Sequence, residues 1–239
     1  MKITVDDTYY TEINEQIRNA ADTEIILDKV YGQRYIGCGI KGKTITINGT
    51  PGNALGSYMD GADVIVHGNA QDATGDTMND GSIIIHGNCG DTTGYGMRGG
   101  KILIKGNAGY RVGIHMKEYK EQKPVVVVGG KTGDFLGEYQ AGGIIIVLGI
   151  GVDGIPVGNF CGTGMHGGAI YLRCNDIPEG LPPQVSATSA TEEDKKQIDG
   201  IVVDFCENFG YDKKEILKSN FIKLTANTKN PYKQLYTHN

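Results

Sequence analysis

The sequence has few cysteines, no long apolar run and no excess of basic charge, and each absence excludes a class of protein. The five cysteines are odd in number and show no C-x-x-C spacing, which excludes a zinc finger or a four-cysteine iron–sulfur site and predicts free thiols. No apolar run approaches the roughly 18 to 20 residues of a membrane helix. The formal net charge of −5 argues against nucleic-acid or membrane-surface partners that need a basic face.

The start of the chain also lacks the pattern of a secretory signal. Residues 1–6 turn acidic before an apolar segment develops, so a cytoplasmic location is expected. The 239 residues are enough for one large domain or two small ones, which excludes a disulfide-stapled miniprotein.

Glycine, in contrast, is abundant, and it marks an internal repeat. There are 37 glycines, about twice the usual share, and 34 of them fall between Gly32 and Gly168. Short β-branched runs close on glycines 19 residues apart, at Gly49, Gly68, Gly87 and Gly106. Two later runs follow the same pattern after an insertion within 116–124. A fixed period of this length is typical of repeat architectures.

Three sets of equivalent residues are predicted to have structural roles in this repeat. A second glycine lies seven residues after each closing position and is predicted to form a turn; these are Gly37, Gly56, Gly75, Gly94, Gly113 and Gly137. A ladder of stacked asparagines is predicted at Asn69, Asn88 and Asn107. Turn caps, rather than a carboxylate site, are predicted at Asp72, Asp91 and Asp134.

Nineteen residues are too few for a βαβ unit, so the repeat predicts an all-β solenoid, a right-handed parallel β-helix of about seven 19-residue coils. An N-terminal cap with a short helix is predicted over 1–24, the β-helix over 25–175, and a linker with a C-terminal helical tail over 176–239. The segment Pro231–Tyr236 is predicted to dock on the last coil or on a partner.

Several motif matches are explained by the repeat rather than by chemistry. Residues Gly37–Thr44 fit a phosphate-loop pattern, but a repeat strand is predicted after them instead of a helix. The pattern G-x-G-x-x-G occurs three times, whereas a dinucleotide site carries it once. His67 and His86 are predicted to form an exposed pair without a metal, and no catalytic set of nucleophile, base and orienting group is identified.

Three glycine-rich segments carry a resemblance to a known family: Gly32–Gly37, Gly90–Gly100 and Gly162–Gly168. They resemble the GXGXG domain at the C-terminus of the glutamate synthase large subunit, and the chain resembles the stand-alone form of that domain. The family's right-handed β-helix agrees with the fold predicted from the repeat. The resemblance implies a spacer that packs against glutaminase and FMN/iron–sulfur domains, with no catalytic, cofactor-binding or metal-binding residue of its own.

The resemblance therefore implies a non-catalytic structural subunit of a glutamate synthase-type complex in glutamate biosynthesis. FMN and an iron–sulfur cluster are expected in glutaminase-type and synthase-type partner subunits, and a homo-oligomer stays open. The GXGXG-containing subunit of formylmethanofuran dehydrogenase has similar coils and is the alternative, although the insertion at 116–124 and the helical tail favour the synthase relative. A third hypothesis is a free-standing β-helix enzyme that acts on polysaccharide through stacked carboxylates such as Asp72 and Asp91.

Overall fold

The computed structural model describes residues 1–228, which form eleven strands and three helices. The strands are β1 (Lys2–Thr4), β2 (Glu24–Tyr31), β3 (Thr44–Thr50), β4 (Asp60–His67), β5 (Asp80–Ile85), β6 (Lys101–Ile104), β7 (Val125–Val128), β8 (Ala141–Val147), β9 (Gly167–Leu172), β10 (Val185–Ser189) and β11 (Ile222–Ala226). The helices are α1 (Tyr10–Asn19), α2 (Glu192–Phe209) and α3 (Lys213–Leu217). The segment Pro231–Tyr236 lies outside the described residues.

All eleven strands belong to one sheet, in the order β1 to β9, then β11, then β10. Strands β1 to β9 pair in parallel and in chain order, whereas β11 pairs antiparallel with β9 and β10. Ile45 lies beside Val64, and Val64 lies beside Ile83. The 19-residue period of the sequence is therefore the register from β3 to β6 and from β7 to β8, while longer connections join β6 to β7 and β8 to β9.

The predicted all-β solenoid, a right-handed parallel β-helix of about seven 19-residue coils, is wrong. The chain forms a single mixed sheet, mostly parallel, which is neither closed nor curled. The physical reason is that each repeat contributes one extended segment, while the rest of the repeat folds into tight turns that add no further strand. Antiparallel strands β10 and β11, which the repeat does not predict, extend the sheet at its far end.

The main hydrophobic core lies between one face of the sheet and the turn segments. Ile45, Val64 and Ile83 enter it from the strands, and all three are fully buried. Leu55 and Met59 enter it from a turn segment and are equally buried. Each such aliphatic side chain contributes about 1.5–3 kcal/mol of transfer free energy, so the columns of apolar residues hold the repeats together.

Helix α2 packs on the other face of the sheet, which we call the outer face. Leu103, Val127 and Ile146 alternate with main-core residues along β6, β7 and β8 and are fully buried with Val202 and Phe205 of the helix. Both faces of these three strands are therefore buried, as is usual for parallel strands.

Helices form near both ends of the described chain, in the segments where the sequence predicts them. Ile13 and Ile17 of α1 are fully buried in the main core. Helix α2 begins with a capping box in which Thr191 and Asp194 bond each other's backbone amides, and it ends at Gly210 in the left-handed conformation, with φ 75°. The division into 1–24, 25–175 and 176–239 stays a prediction.

Candidate functional site

The predicted turn glycines lie in a stack of equivalent turn segments. In each segment three alternate residues have positive φ, for example Ala54, Gly56 and Tyr58 at 64°, 65° and 56°. The predicted glycines take the middle position and have φ between 64° and 72°; they are Gly37, Gly56, Gly75, Gly94, Gly113 and Gly137. The middle position faces the core, where a Cβ on Gly75 would lie 2.4 Å from Cδ1 of Ile102.

The backbone amides of the turn stack bond other turns. Ala54 N donates to Asp72 O and Tyr58 N to Asp76 O, each at 2.9 Å and toward the following repeat. Gly75 N donates to Leu55 O at 2.8 Å, toward the preceding repeat. Alternating left- and right-handed residues can form an anion-binding nest. Here these amides already donate to carbonyl oxygens of the neighbouring turns. In addition, strand β3 rather than a helix follows Gly37–Lys43, so the phosphate-loop match has a structural explanation.

The asparagines predicted as a ladder bond the backbone of the next repeat. Asn69 Oδ1 accepts from Asn88 N and Asn88 Oδ1 from Asn107 N, both at 2.8 Å, and Asn107 Oδ1 accepts from Lys131 N at 2.9 Å. Each bond needs a glycine beside it, because a Cβ on Gly106 would lie 2.3 Å from Asn88 Oδ1. Each asparagine side chain thus accepts a hydrogen bond from the backbone of the next repeat, along the direction in which the repeats stack.

The aspartates Asp72, Asp91 and Asp134 form a second column of the same kind. Asp72 Oδ1 accepts from Asp91 N at 2.9 Å, Asp91 Oδ1 from Tyr110 N at 2.8 Å, and Asp134 Oδ1 from Asn159 N at 2.7 Å. One oxygen of each carboxylate therefore binds a backbone amide. This geometry does not support their use as the acid and base of a glycosidase.

The histidine pair lies on the outer face, at the end of α2. The rings of His67 and His86 have centroids 5.0 Å apart, and His86 meets the ring of Phe209 edge-on at 5.2 Å. Burial lowers the pKa of His86, and the neighbouring His67 and Lys105 lower it further. Among residues 1–228, no three His, Cys, Asp or Glu side chains come together as a group that could hold a metal ion.

The outer face continues past α2 without a covering element. Register carries the central row of this face from Ile84 of β5 to Ile65, Thr46 and Ile26 of β4, β3 and β2. Ile84 borders the cluster under α2, Ile65 and Thr46 are partly exposed, and Ile26 is 41% exposed. We call these four residues and the positions flanking them the open half of the outer face.

A groove of about 650 Å³ runs between this half and the side of α2. Its floor includes Leu103 and Val125, and Ile201 contributes an apolar wall from the helix. Charged groups line it as well: Lys101 forms an ion pair with Asp204 of α2. Asp63 on the opposite side accepts a hydrogen bond from Ser82 Oγ at 2.5 Å. The groove joins the covered and the open parts of one face.

Aromatic side chains form a second exposed feature, along the turn stack. His115 stacks on Tyr139 with centroids 4.9 Å apart and meets Tyr95 edge-on at 5.9 Å. Phe135 stacks on Phe160 at 5.0 Å. These rings were not predicted as a group from the sequence, although several of them occupy equivalent positive-φ positions of the repeat, which was the available signal.

The five cysteines are unpaired, in agreement with the free thiols predicted from their odd number and spacing. Burial raises the pKa of the Cys161 thiol to about 12 and also raises that of Cys89, so neither is a ready nucleophile. Within residues 1–228, no helix has both the length and the apolar character needed to cross a bilayer.

Comparison with known proteins adds sequence relatives, a solved structure and a family. The chain is 45% identical to an uncharacterized protein of Methanocaldococcus jannaschii, over 98% of this chain and 95% of that protein. It is 31% identical over 94 residues to ferredoxin-dependent glutamate synthase 2 of Synechocystis sp., a match that spans 38% of this chain and 6% of the synthase.

Among solved structures, the chain is similar to one chain of the formyltransferase/hydrolase complex of Methylorubrum extorquens, determined with methylofuran. The TM-score is 0.68 at 18% identity, with 92% of this chain and 89% of that chain covered. At this identity the match shows a shared fold alone. The model of the GXGXG motif family matches residues 1–229. With its stacked glycine turns and this match over almost its whole length, the chain belongs to the GXGXG family.

Proposed function

We propose that the protein is a structural subunit that holds the catalytic subunits of a glutamate synthase-type complex together. One observation carries this proposal: the turn amides and both polar ladders bond neighbouring repeats, while apolar and aromatic side chains are exposed on two surfaces. Exposed apolar patches of this kind mark surfaces that bind other proteins. The partial match to a glutamate synthase supports this type of complex.

The proposed partners are a glutaminase-type subunit and a synthase-type subunit. FMN and an iron–sulfur cluster belong, in this proposal, to those partners and not to this chain. Ammonia assimilation into glutamate is then the activity of the whole complex, and this chain contributes no catalytic group to it.

A second candidate is a structural subunit of a formylmethanofuran dehydrogenase-type complex. The observation that favours it is the match to a chain of a formyltransferase/hydrolase complex, because that match covers most of both chains. The glutamate synthase match is shorter but is higher in identity. The two candidates share a scaffold role and differ in the enzyme that is scaffolded.

The experiment is affinity purification of the tagged full chain, expressed at native level in its source cell, with mass spectrometry and an absorbance spectrum of the eluate. A glutaminase-like chain with flavin and iron–sulfur absorbance is the expected result. A molybdenum or tungsten pterin enzyme would favour the second candidate. Elution of the chain alone, or turnover of a substrate by the pure chain, would contradict the scaffold role.

A further inference from the structure

We propose that the open half of the outer face binds an amphipathic helix of a partner subunit, laid across β2–β5 in line with α2. This inference rests on the proposed function and names the surface and the kind of element that occupies it. The argument uses the strand sequences, the way α2 covers the other half, and the charges that flank the open row.

The strand sequences have the pattern of strands buried on both faces. Strands β6, β7 and β8 carry the runs Ile102–Ile104, Val125–Val128 and Ile144–Val147, and the central outward residue of each is fully buried under α2. Strands β4 and β5 carry equivalent runs, Val64–Val66 and Ile83–Ile85, but part of their outward surface is uncovered. A strand with one solvated face normally alternates apolar and polar residues. Strands β4 and β5 of the open half therefore have the composition of covered strands, whereas β3 alternates at Thr46.

Helix α2 shows which element fits this face. Its Asp194 bonds Lys223 of β11 at 2.5 Å, and its Phe209 meets His86, the residue directly after β5. The 18 residues of the helix span about 27 Å. The five strand spacings from β11 to β5 amount to about 24 Å, so the helix crosses the strands, with about one turn to each strand.

The open row has the width and length for one more helix of this kind. It consists of one central line, apolar except for Thr46, between polar lines about 6.6 Å to either side along the strands. Such a line is too narrow for a second sheet, which would need several apolar rows. Three strand spacings separate β2 from β5, about 14 Å, which corresponds to a helix of about ten residues.

Charge defines the partner helix further. On the side of the row that faces the groove, Glu24, Asp63 and Asp80 are exposed. Within residues 1–228 none of these three carboxylates forms an ion pair, and the ammonium group of the nearby Lys43 donates to the carbonyl oxygens of Ala20 and Asp22 instead. We expect the partner helix to have apolar residues at i, i+3 or i+4, and i+7, with Lys or Arg along one edge.

The test uses the affinity purification of the full chain with two matched variants. Ile26→Glu places a charge in the open row, where Ile26 is 41% exposed; Ile177→Glu places the same charge on an isoleucine that is 50% exposed and lies outside the sheet. Asp63→Lys is a further, milder variant, because Asp63 is exposed. Melting temperatures of the pure variants establish that each one folds. A photo-crosslinking amino acid at Thr46 marks the element that covers the row.

We expect Ile26→Glu to reduce recovery of the partner at least tenfold, Asp63→Lys several-fold, and Ile177→Glu less than twofold. The cross-link should fall in an amphipathic helical segment of the partner. Full recovery with folded Ile26→Glu and Asp63→Lys would overturn the inference and leave the scaffold role standing. Cross-linking to a second copy of this chain, or to a non-helical segment, would also overturn it. Loss of all partners from the unmodified chain would instead refute the scaffold role itself.

Discussion

Strands β2–β5 and strands β6–β9 share the same register, the same main core and the same stack of turns, but their outer faces differ. In the later strands, Leu103, Val127 and Ile146 are fully buried with α2. In the earlier strands, the equivalent Ile26, Thr46 and Ile65 are at least partly exposed. The comparison separates two contributions to stability. The repeats hold one another through the main core, and α2 adds further apolar contacts on the outer face of the later strands only.

The largest effect is expected from an Ile→Ala substitution in the central row of the outer face, made once in the covered half and once in the open half. Ile146→Ala should lower the free energy of unfolding by about 2–5 kcal/mol, because the side chain is fully buried under α2. Ile65→Ala should cost less than about 2 kcal/mol, because Ile65 already contacts solvent. Urea unfolding of both variants measures the difference. Equal losses would show that the two halves are not different in the isolated chain.

A substitution in the turn stack should act on the feature that both halves share. Gly94 has φ 72°, and a Cβ there would lie 3.1 Å from Cγ2 of Val126. Gly94→Val should therefore destabilise by about 3 kcal/mol. Thermal unfolding measures this cost.

The matched control for Gly94→Val is Gly96→Thr in the same turn. Gly96 also has positive φ, but a Cβ would be 3.6 Å from Oγ1 of Thr77, and the equivalent position of the preceding repeat is occupied by Thr77 itself. Its cost should be about 1 kcal/mol. A melting temperature for Gly94→Val as high as that of the unmodified protein would refute the core-facing role of this glycine.

Acid should weaken the attachment of α2 to the sheet, because it protonates Asp194, which bonds Lys223 of β11. Its pKa is lowered to about 2 by the hydrogen bond from Lys223, with further bonds from Thr191. A carboxyl whose pKa falls on folding stabilises the protein above its ordinary pKa near 3.8 and loses that contribution as the pH falls toward 2. The loss should be on the order of 2 kcal/mol.

Unfolding titrations between pH 5 and pH 2 measure this loss, and binding of an apolar dye reports exposure of the outer face. Both Asp194→Asn and Lys223→Met should flatten the dependence, because each removes one partner of the bond. An unchanged slope in either variant would contradict the assignment.

The smallest effect is expected at the border between the two halves. Burial against Phe209 lowers the pKa of His86, so the folded state binds its proton less readily than the unfolded state does. Stability should therefore fall as the pH drops through about 6.5, by less than about 1 kcal/mol. Unfolding curves at pH 7.5 and pH 5 measure this loss. His86→Gln should show a smaller drop, and an equal drop would contradict the prediction.

The period and the strand positions could be predicted from the sequence because Ile and Val recur beside glycines at fixed spacing. The shape of the sheet could not, since a 19-residue return fits several strands per repeat as well as one strand with tight turns. Left-handed residues such as Tyr58 and His115 give no sequence signal comparable to glycine. Strands β10 and β11 lie outside the repeat, and their pairing depends on contacts between residues 33 to 41 positions apart.

The outer face was missed although its signal was available. The run Val125–Val128 and the run Ile83–Ile85 lack the alternation of Ile45, Thr46 and Ile47. Strands that lack this alternation predict a second buried surface. The sequence does not specify which half the chain covers itself, because that depends on where α2 lies.

The position of α2 in the chain also has a consequence for synthesis on the ribosome. Neighbouring repeats can pair as soon as both have emerged, because each contacts mainly the next one. The apolar row of β6–β8 is complete at Ile146, but Phe209 follows roughly 60 residues later, which takes about 3 to 12 s at ordinary translation rates. During that interval the nascent chain presents both halves of its outer face uncovered, so a chaperone or a waiting partner helix can reach Leu103, Val127 and Ile146 before α2 does.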